Sequence, residues 1–159
     1  MFFRACVVLL SLSCALWADP LASIHSAYEK AAAGARLKFV YGMLSHRTAD
    51  YELIEPGGRK FDLGRERDEF ARMFDWATKV DLQIKVLKSQ ARGTFMECRV
   101  EQTMTLQGYG SKPAAAKSTV TVRTQLDELW TLQSGRWKLR ASRVLSQTCH
   151  PPAGKWAWR

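Results

Sequence analysis

The sequence predicts an α+β domain whose N-terminal helices pack on the concave face of a curved antiparallel β-sheet. Three observations carry that expectation. As far as Ala77, apolar residues recur at three- and four-residue spacing, the helical period; from Val80 to Gln147 they recur at spacing two, the strand period. Each long period-two segment has one apolar and one polar face, so the sheet needs cover on one side only. A chain of 159 residues is long enough for one domain with a real core.

Residues 1–18 read as a secretory signal peptide. Arg4 supplies an early charge, residues 5–12 are an apolar run too short to span a membrane, and small residues precede Asp19 and Pro20. Ser11-Leu12-Ser13-Cys14 is a loose lipoprotein-type box, with Ser11 where leucine normally stands, so lipid anchoring at Cys14 is the lesser alternative to soluble export, periplasmic or extracellular, from a bacterium. Residues 19–150 then form the domain and residues 151–159 an irregular basic tail.

Within the domain, Leu21, Ile24, Tyr28 and Ala31 or Ala32 mark a first helix that Gly34 breaks. Leu37, Val40, Tyr41 and Leu44 share a face of a short second helix. Residues 50–55 form a short strand that turns at Pro56-Gly57-Gly58 and returns through residues 59–61. Asp62 caps a third helix with the apolar face Phe70, Met73, Phe74 and Ala77. Val80, Leu82, Ile84 and Val86 open the long strands, and Met96, Cys98, Val100, Gln102, Met104 and Leu106 line one face of the next. Three helical segments before the sheet weigh against a cystatin-like sheet around one helix and against a lipocalin-type barrel. No internal repeat and no second domain are visible.

The last hairpin holds the informative residues. Val120, Val122, Thr124, Leu126, Glu128, Trp130 and Leu132 share one face of its first arm. A turn at residues 133–136 pairs Leu132 with Trp137, Trp130 with Leu139, Glu128 with Ala141 and Leu126 with Arg143. That register puts Glu128 on the apolar face with Arg143 as its diagonal neighbour. Taking the preceding loop symmetrically places Met96 beside Glu128 and Cys98 opposite Leu126. An acid among apolar neighbours is either one half of a structural ion pair or a polar anchor in a ligand pocket.

The formal net charge is +9, and +8 once the leader removes Arg4 and no acid. The cations are scattered, with no run of five or six and no nucleic-acid motif, so the charge reads as a solvated surface bias and nucleic-acid binding is not expected. Cys98 and Cys149 lack metal-ligand spacing, and neither a metal nor a cofactor is expected. His25 and His46 fall on polar positions and read as surface residues. Met73, Met96 and Met104 stand at core spacing.

Three local patterns resemble the nuclear-transport-factor-2-like superfamily, the cone-shaped, cystatin-like superfold shared with SnoaL-like proteins and ketosteroid isomerases. They are residues 49–58, an acidic-apolar strand closing on a Pro-Gly turn; Gly64-Arg65-Glu66 leading to Phe70; and Gly135-Arg136-Trp137-Lys138-Leu139 opening the last strand. The resemblance covers residues 24–147. It implies a pocket between sheet and helices, used for catalysis, for ligand binding or for dimer contacts. In ketosteroid isomerases the acid before the first hairpin's proline is the general base, which maps to Glu55. An acid in the penultimate strand and a tyrosine on the first helix donate hydrogen bonds, which map to Glu128 and Tyr28. Both acids here are Glu rather than Asp, Arg143 has no counterpart, and Ala141, Ser142 and Arg143 stand where SnoaL-like relatives carry histidines.

The sequence therefore favours an exported domain that binds a small apolar or carbonyl-containing ligand, or that forms a homodimer through the sheet. Its ligand residues would be Glu128, Arg143, Gln102, Tyr28, Trp130 and Met96. The alternative is a cofactor-free isomerase, dehydratase or hydrolase using Glu55 and Glu128 for proton transfer. Expressed in a secreting bacterium, the recovered protein should begin at Asp19 in the soluble extracytoplasmic fraction. N-terminal sequencing checks this, and an intact Met1 or a lipidated Cys14 would overturn it.

Overall fold

A computed structural model describes residues 19–109 and 117–151. Helix α1 (Pro20–Arg36) starts where Asp19 Oδ1 accepts a 3.0 Å hydrogen bond from the Leu21 amide, with Pro20 in the first turn, where a missing N–H costs nothing. Gly34 does not break it. The helix runs two residues further and ends as Lys38 takes a left-handed φ of 54° and the Phe39 amide bonds the Gly34 carbonyl at 2.8 Å. Gly34 is small for another reason: a Cβ there would lie 2.5 Å from the Met43 amide nitrogen of α2 (Val40–Leu44), so the residue sets how closely the two helices pack. Helix α2 buries Met43 and Leu44. Leu37 and Tyr41, expected on its buried face, are 78% and 67% exposed, because the left-handed turn at Lys38 rotates that stretch outward.

Strand β1 (Arg47–Ile54) begins three residues earlier than its sequence suggests, and β2 (Lys60–Asp62) returns beside it. Asp62 caps α3 (Leu63–Trp76) as expected, accepting from the Arg65 amide at 2.8 Å; Ala77, assigned to that helix by its spacing, instead opens β3 (Ala77–Arg92). β4 (Phe95–Tyr109), β5 (Lys117–Gln133) and β6 (Arg136–His150) complete a curved, unclosed sheet in the order β2-β1-β6-β5-β4-β3. All neighbours are antiparallel except β1 and β6. Two clusters fill the space under the helices. One gathers Ala31, Ala35, Met43, Leu44, Phe74 and Val80; the other gathers Ile24, Tyr28, Tyr51, Val100, Leu126 and Trp130.

The last hairpin keeps its expected register only near the turn. Leu132 faces Trp137 and Trp130 faces Leu139, but one extra residue on β6, Arg140, makes Leu129 the partner of Ala141. Glu128 therefore faces Ser142 rather than Ala141, and Arg143 faces Asp127 rather than Leu126. A one-residue slip moves side chains to the opposite face of a strand. Arg143 is thus exposed on the outer face, and its expected partnership with Glu128 does not exist. The β4–β5 register is off by two, with Met96 opposite Trp130 and Cys98 opposite Glu128, an even shift that leaves every face unchanged. Cys149 faces Val122, which lies six positions along β5 from Glu128, the partner of Cys98, or roughly 20 Å at strand rise. Both thiols are free.

Gly34→Ala gains about 1 kcal/mol of helix propensity but forces backbone against backbone, an overpacking cost of about 1–3 kcal/mol. The variant should therefore have a lower urea midpoint than the parent. A raised midpoint would mean that α2 moves freely away from α1.

Candidate functional site

Glu128 is 3% exposed and serves as an acceptor between α1 and the sheet. Tyr28 Oη donates to its Oε2 at 2.6 Å and Trp130 Nε1 to the same oxygen at 3.0 Å, while Gln102 Nε2 approaches Oε1 at 3.4 Å. Burial pushes the carboxyl above its ordinary range, and the Tyr28 and Trp130 hydrogen bonds pull the other way without cancelling it. Burial and the neighbouring carboxylate likewise raise the Tyr28 phenol. Cys98, opposite Glu128, is pushed up to about 12 first by burial and then by that acid, which makes it a small buried hydrophobe rather than a nucleophile. Tyr28 meets Trp130 edge-on at 5.4 Å, and His46 stacks on the indole at 5.5 Å. His46 is accordingly half-buried rather than a surface residue. Burial first, then Arg47 and Lys138, lower its pKa to about 3, so it is neutral.

The cation near Glu128 is Arg47, not Arg143. Its side chain is 6% exposed, ion-paired to Glu66 of α3, and lies 4.5 Å over the Tyr51 ring. Burial works against the guanidinium charge, but Glu66, Tyr51 and Glu128 outweigh it and hold the group above its usual value. Burial raises the Glu66 carboxyl, with Arg47 opposing. Sequence reasoning missed both residues. Glu66 stands four and seven positions before Phe70 and Met73, on their helix face, so an acid at core spacing was the available signal. Arg47 precedes the strand expected at residues 50–55, and only its membership of β1 turns it inward.

Between α3 and the inner face of the sheet lies a cavity of about 810 Å³. Leu53, Phe70, Met73, Met104, Val122, Leu126 and Val144 supply apolar lining. The buried polar residues Arg47, Tyr51, Glu66 and Ser142 also line it, with the less buried Gln102 and Thr124. Glu55, Arg59, Glu69 and Arg72 stand at its rim, and Glu55 accepts from Arg59 Nε at 2.8 Å. Of the residues marked in the sequence, Gln102 and Glu55 line this cavity. Tyr28, Met96, Glu128 and Trp130 do not; Glu128 sits behind Gln102. Among the described residues, no group of three or more His, Cys, Asp or Glu side chains is placed to hold a metal, and no helix is long and apolar enough to cross a membrane.

Because folding raises the proton affinity of Glu128, there is a pH interval above the unfolded-state value in which the folded state binds more protons than the unfolded chain. The sign follows: this contribution to stability is greatest below the unfolded-state value of about 4.3 and is lost as pH rises through the folded-state value. Glu128→Gln, which cannot ionise, should lose less stability than the parent as pH rises above about 4. Urea unfolding across that range reads the difference, and identical slopes would contradict it.

No family model matches the chain, and no curated protein does. Solved structures do resemble it. A conserved protein from Planctomyces limnophilus superposes with a TM-score of 0.65 at 10% identity, over 77% of this chain and 92% of that one. A ketosteroid isomerase-like protein from Erwinia carotovora atroseptica gives 0.54 at 14% identity, over 81% and 98%. A type 2 hexachlorocyclohexane dehydrochlorinase gives 0.61 at 10% identity, over 81% and 87%. At these identities the likeness is one of fold, and it is to the cone shared by nuclear-transport-factor-2-like proteins.

Proposed function

We propose that this chain, built on the nuclear-transport-factor-2-like cone, is an exported binding protein for a small, largely apolar molecule held between α3 and the sheet. The cavity carries the proposal. Its volume of about 810 Å³ lies within the usual range for small-molecule sites, and apolar walls with a few convergent polar groups are their usual composition. Export rests on the charged start, apolar run and small residues of positions 1–18.

Catalysis through Glu55 and Glu128 finds little support. Proton transfer by that pair requires both carboxyls in one cavity, within reach of one substrate. Glu55 is held at the rim by Arg59, and Glu128 is enclosed by Tyr28, Trp130 and Gln102. Dimerisation through the sheet is also less supported, since its outer face carries Asp127, Arg99 and Arg143.

Filling the cavity tests the reading. The neutral dye N-phenyl-1-naphthylamine should bind with a fluorescence gain, and native mass spectrometry of the secreted protein should find a co-purified small molecule. Val122→Trp, from a half-buried wall position, should stay folded and weaken dye binding by about tenfold or more. Undiminished binding in a folded Val122→Trp would place the dye elsewhere and sink the proposal.

A further inference from the structure

Single apolar side chains in water are common, but several side by side mark a contact surface. Leu37, Phe39 and Tyr41 fall within five consecutive positions and are 78%, 55% and 67% exposed. The other exposed large apolar side chains among the described residues, Leu87 and Leu145, lie apart on β3 and β6. The Phe39 and Tyr41 rings stand 6.5 Å apart at the junction of α1 and α2.

The turn holds this display in place. Lys38 has a left-handed φ of 54°, uncommon for a residue with a side chain, and its Nζ donates to the Phe74 and Ala77 carbonyls at 3.1 and 3.0 Å. An ammonium beside the last carbonyls of α3 is also favourable to that helix's dipole. The turn is thereby tied to a second element rather than left as a frayed helix end. The Phe39 ring is seated over Gly42, where a Cβ would come within 2.4 Å of it. The amides of Leu37, Lys38 and Phe39 donate to the Ala33, Ala35 and Gly34 carbonyls at 3.1, 2.9 and 2.8 Å. No backbone N–H of residues 37–39 therefore needs water, which is what entry into an apolar phase demands of a chain.

Cations flank the patch. Arg67 of α3 places its guanidinium 5.8 Å from the Tyr41 ring centroid, Arg36 precedes Leu37, and Lys38 stands within the turn. Asp81 faces Arg36 at 3.8 Å and Asp68 faces Arg67 at 3.4 Å, but exposed pairs of this kind hold their arginines weakly. The whole chain carries a formal charge of +9, so an acidic surface is its electrostatic complement. A second copy of the chain suits the patch poorly. A tip-to-tip contact would set the same three cations against their counterparts. Three side chains of about 200 Å² or less each also fall short of the roughly 800 Å² per partner of a specific protein interface. A bilayer needs no matching shape. It takes leucine at the acyl boundary and aromatic rings at the headgroup level, and its anionic phosphates meet the cations around them.

We infer that the α1–α2 turn docks this protein on an anionic lipid surface. Leu37, Phe39 and Tyr41 enter the headgroup boundary, while Arg36, Lys38 and Arg67 meet lipid phosphates. The inference stands apart from the cavity reading, since none of these residues lines the cavity.

Vesicle flotation of the full secreted protein tests it, with vesicles of phosphatidylcholine alone and of phosphatidylcholine mixed equally with phosphatidylglycerol. The parent should bind the mixed vesicles about tenfold more tightly than the neutral ones, and added salt should weaken that binding. Leu37→Ser combined with Tyr41→Ser changes the two most exposed positions. This double variant should keep the parent's urea midpoint and bind the mixed vesicles about tenfold more weakly. Leu37→Trp reports insertion directly: brominated lipid should quench its emission beyond the quenching of the parent's own tryptophans. Undiminished binding by the folded double variant, or no added quenching in Leu37→Trp, would overturn the docking site. A parent that binds neither vesicle would overturn it as well, and equal binding to both would overturn the anionic class. A dimer in native mass spectrometry that the double variant abolishes, without vesicle binding by the parent, would replace the lipid surface with a second copy.

Discussion

A carboxyl group removed from water must be surrounded by donors, and Glu128 draws them from three elements. Tyr28 comes from α1, Gln102 from β4 and Trp130 from β5 itself. Helix α1 is thereby tied to the centre of the sheet by a polar contact inside an otherwise apolar cluster. Apolar packing alone would tolerate α1 at several rotations about its axis. A 2.6 Å bond from one phenol to one buried oxygen fixes the rotation, because losing it would leave the carboxyl without its shortest contact.

A second buried polar pair holds the other wall. Arg47 and Glu66 join β1 to α3, and the cavity lies between these elements and the inner sheet. Burying two opposite charges gives little net stability, since desolvation offsets most of the attraction. What the pair does is directional: it sets where α3 stands over the sheet and neutralises the charge in the cavity wall. Apolar residues in both places would draw the helix down and close the space.

These two arrangements divide the roles that one acid seemed to hold. Glu128 organises the contact of α1 with the sheet, while the accessible cavity is lined by Arg47, Tyr51, Gln102 and Ser142. The solved structures that superpose on this chain include a dehydrochlorinase and an isomerase-like protein, at identities of 10% and 14%. A shared cone does not carry a shared chemistry, because function depends on which side chains reach the cavity.

The sequence by itself determined the order of helices and strands, the single apolar face of each long strand, the Asp62 cap and the burial of Glu128. Each of these follows from local periodicity or from one residue's effect on its own backbone. Only the tertiary structure decided which residues meet. The bulge at Arg140 carries no sequence signature, yet it turns Ser142 inward and sends Arg143 to the outer face. The left-handed turn at Lys38 exposes Leu37 and Tyr41. The pairing of β1 with β6, which brings Arg47 into the interior, joins segments some ninety residues apart. Strand faces are set by spacing along one chain segment, whereas partners are set by register between segments. A register can slip by one residue without changing the composition of either strand.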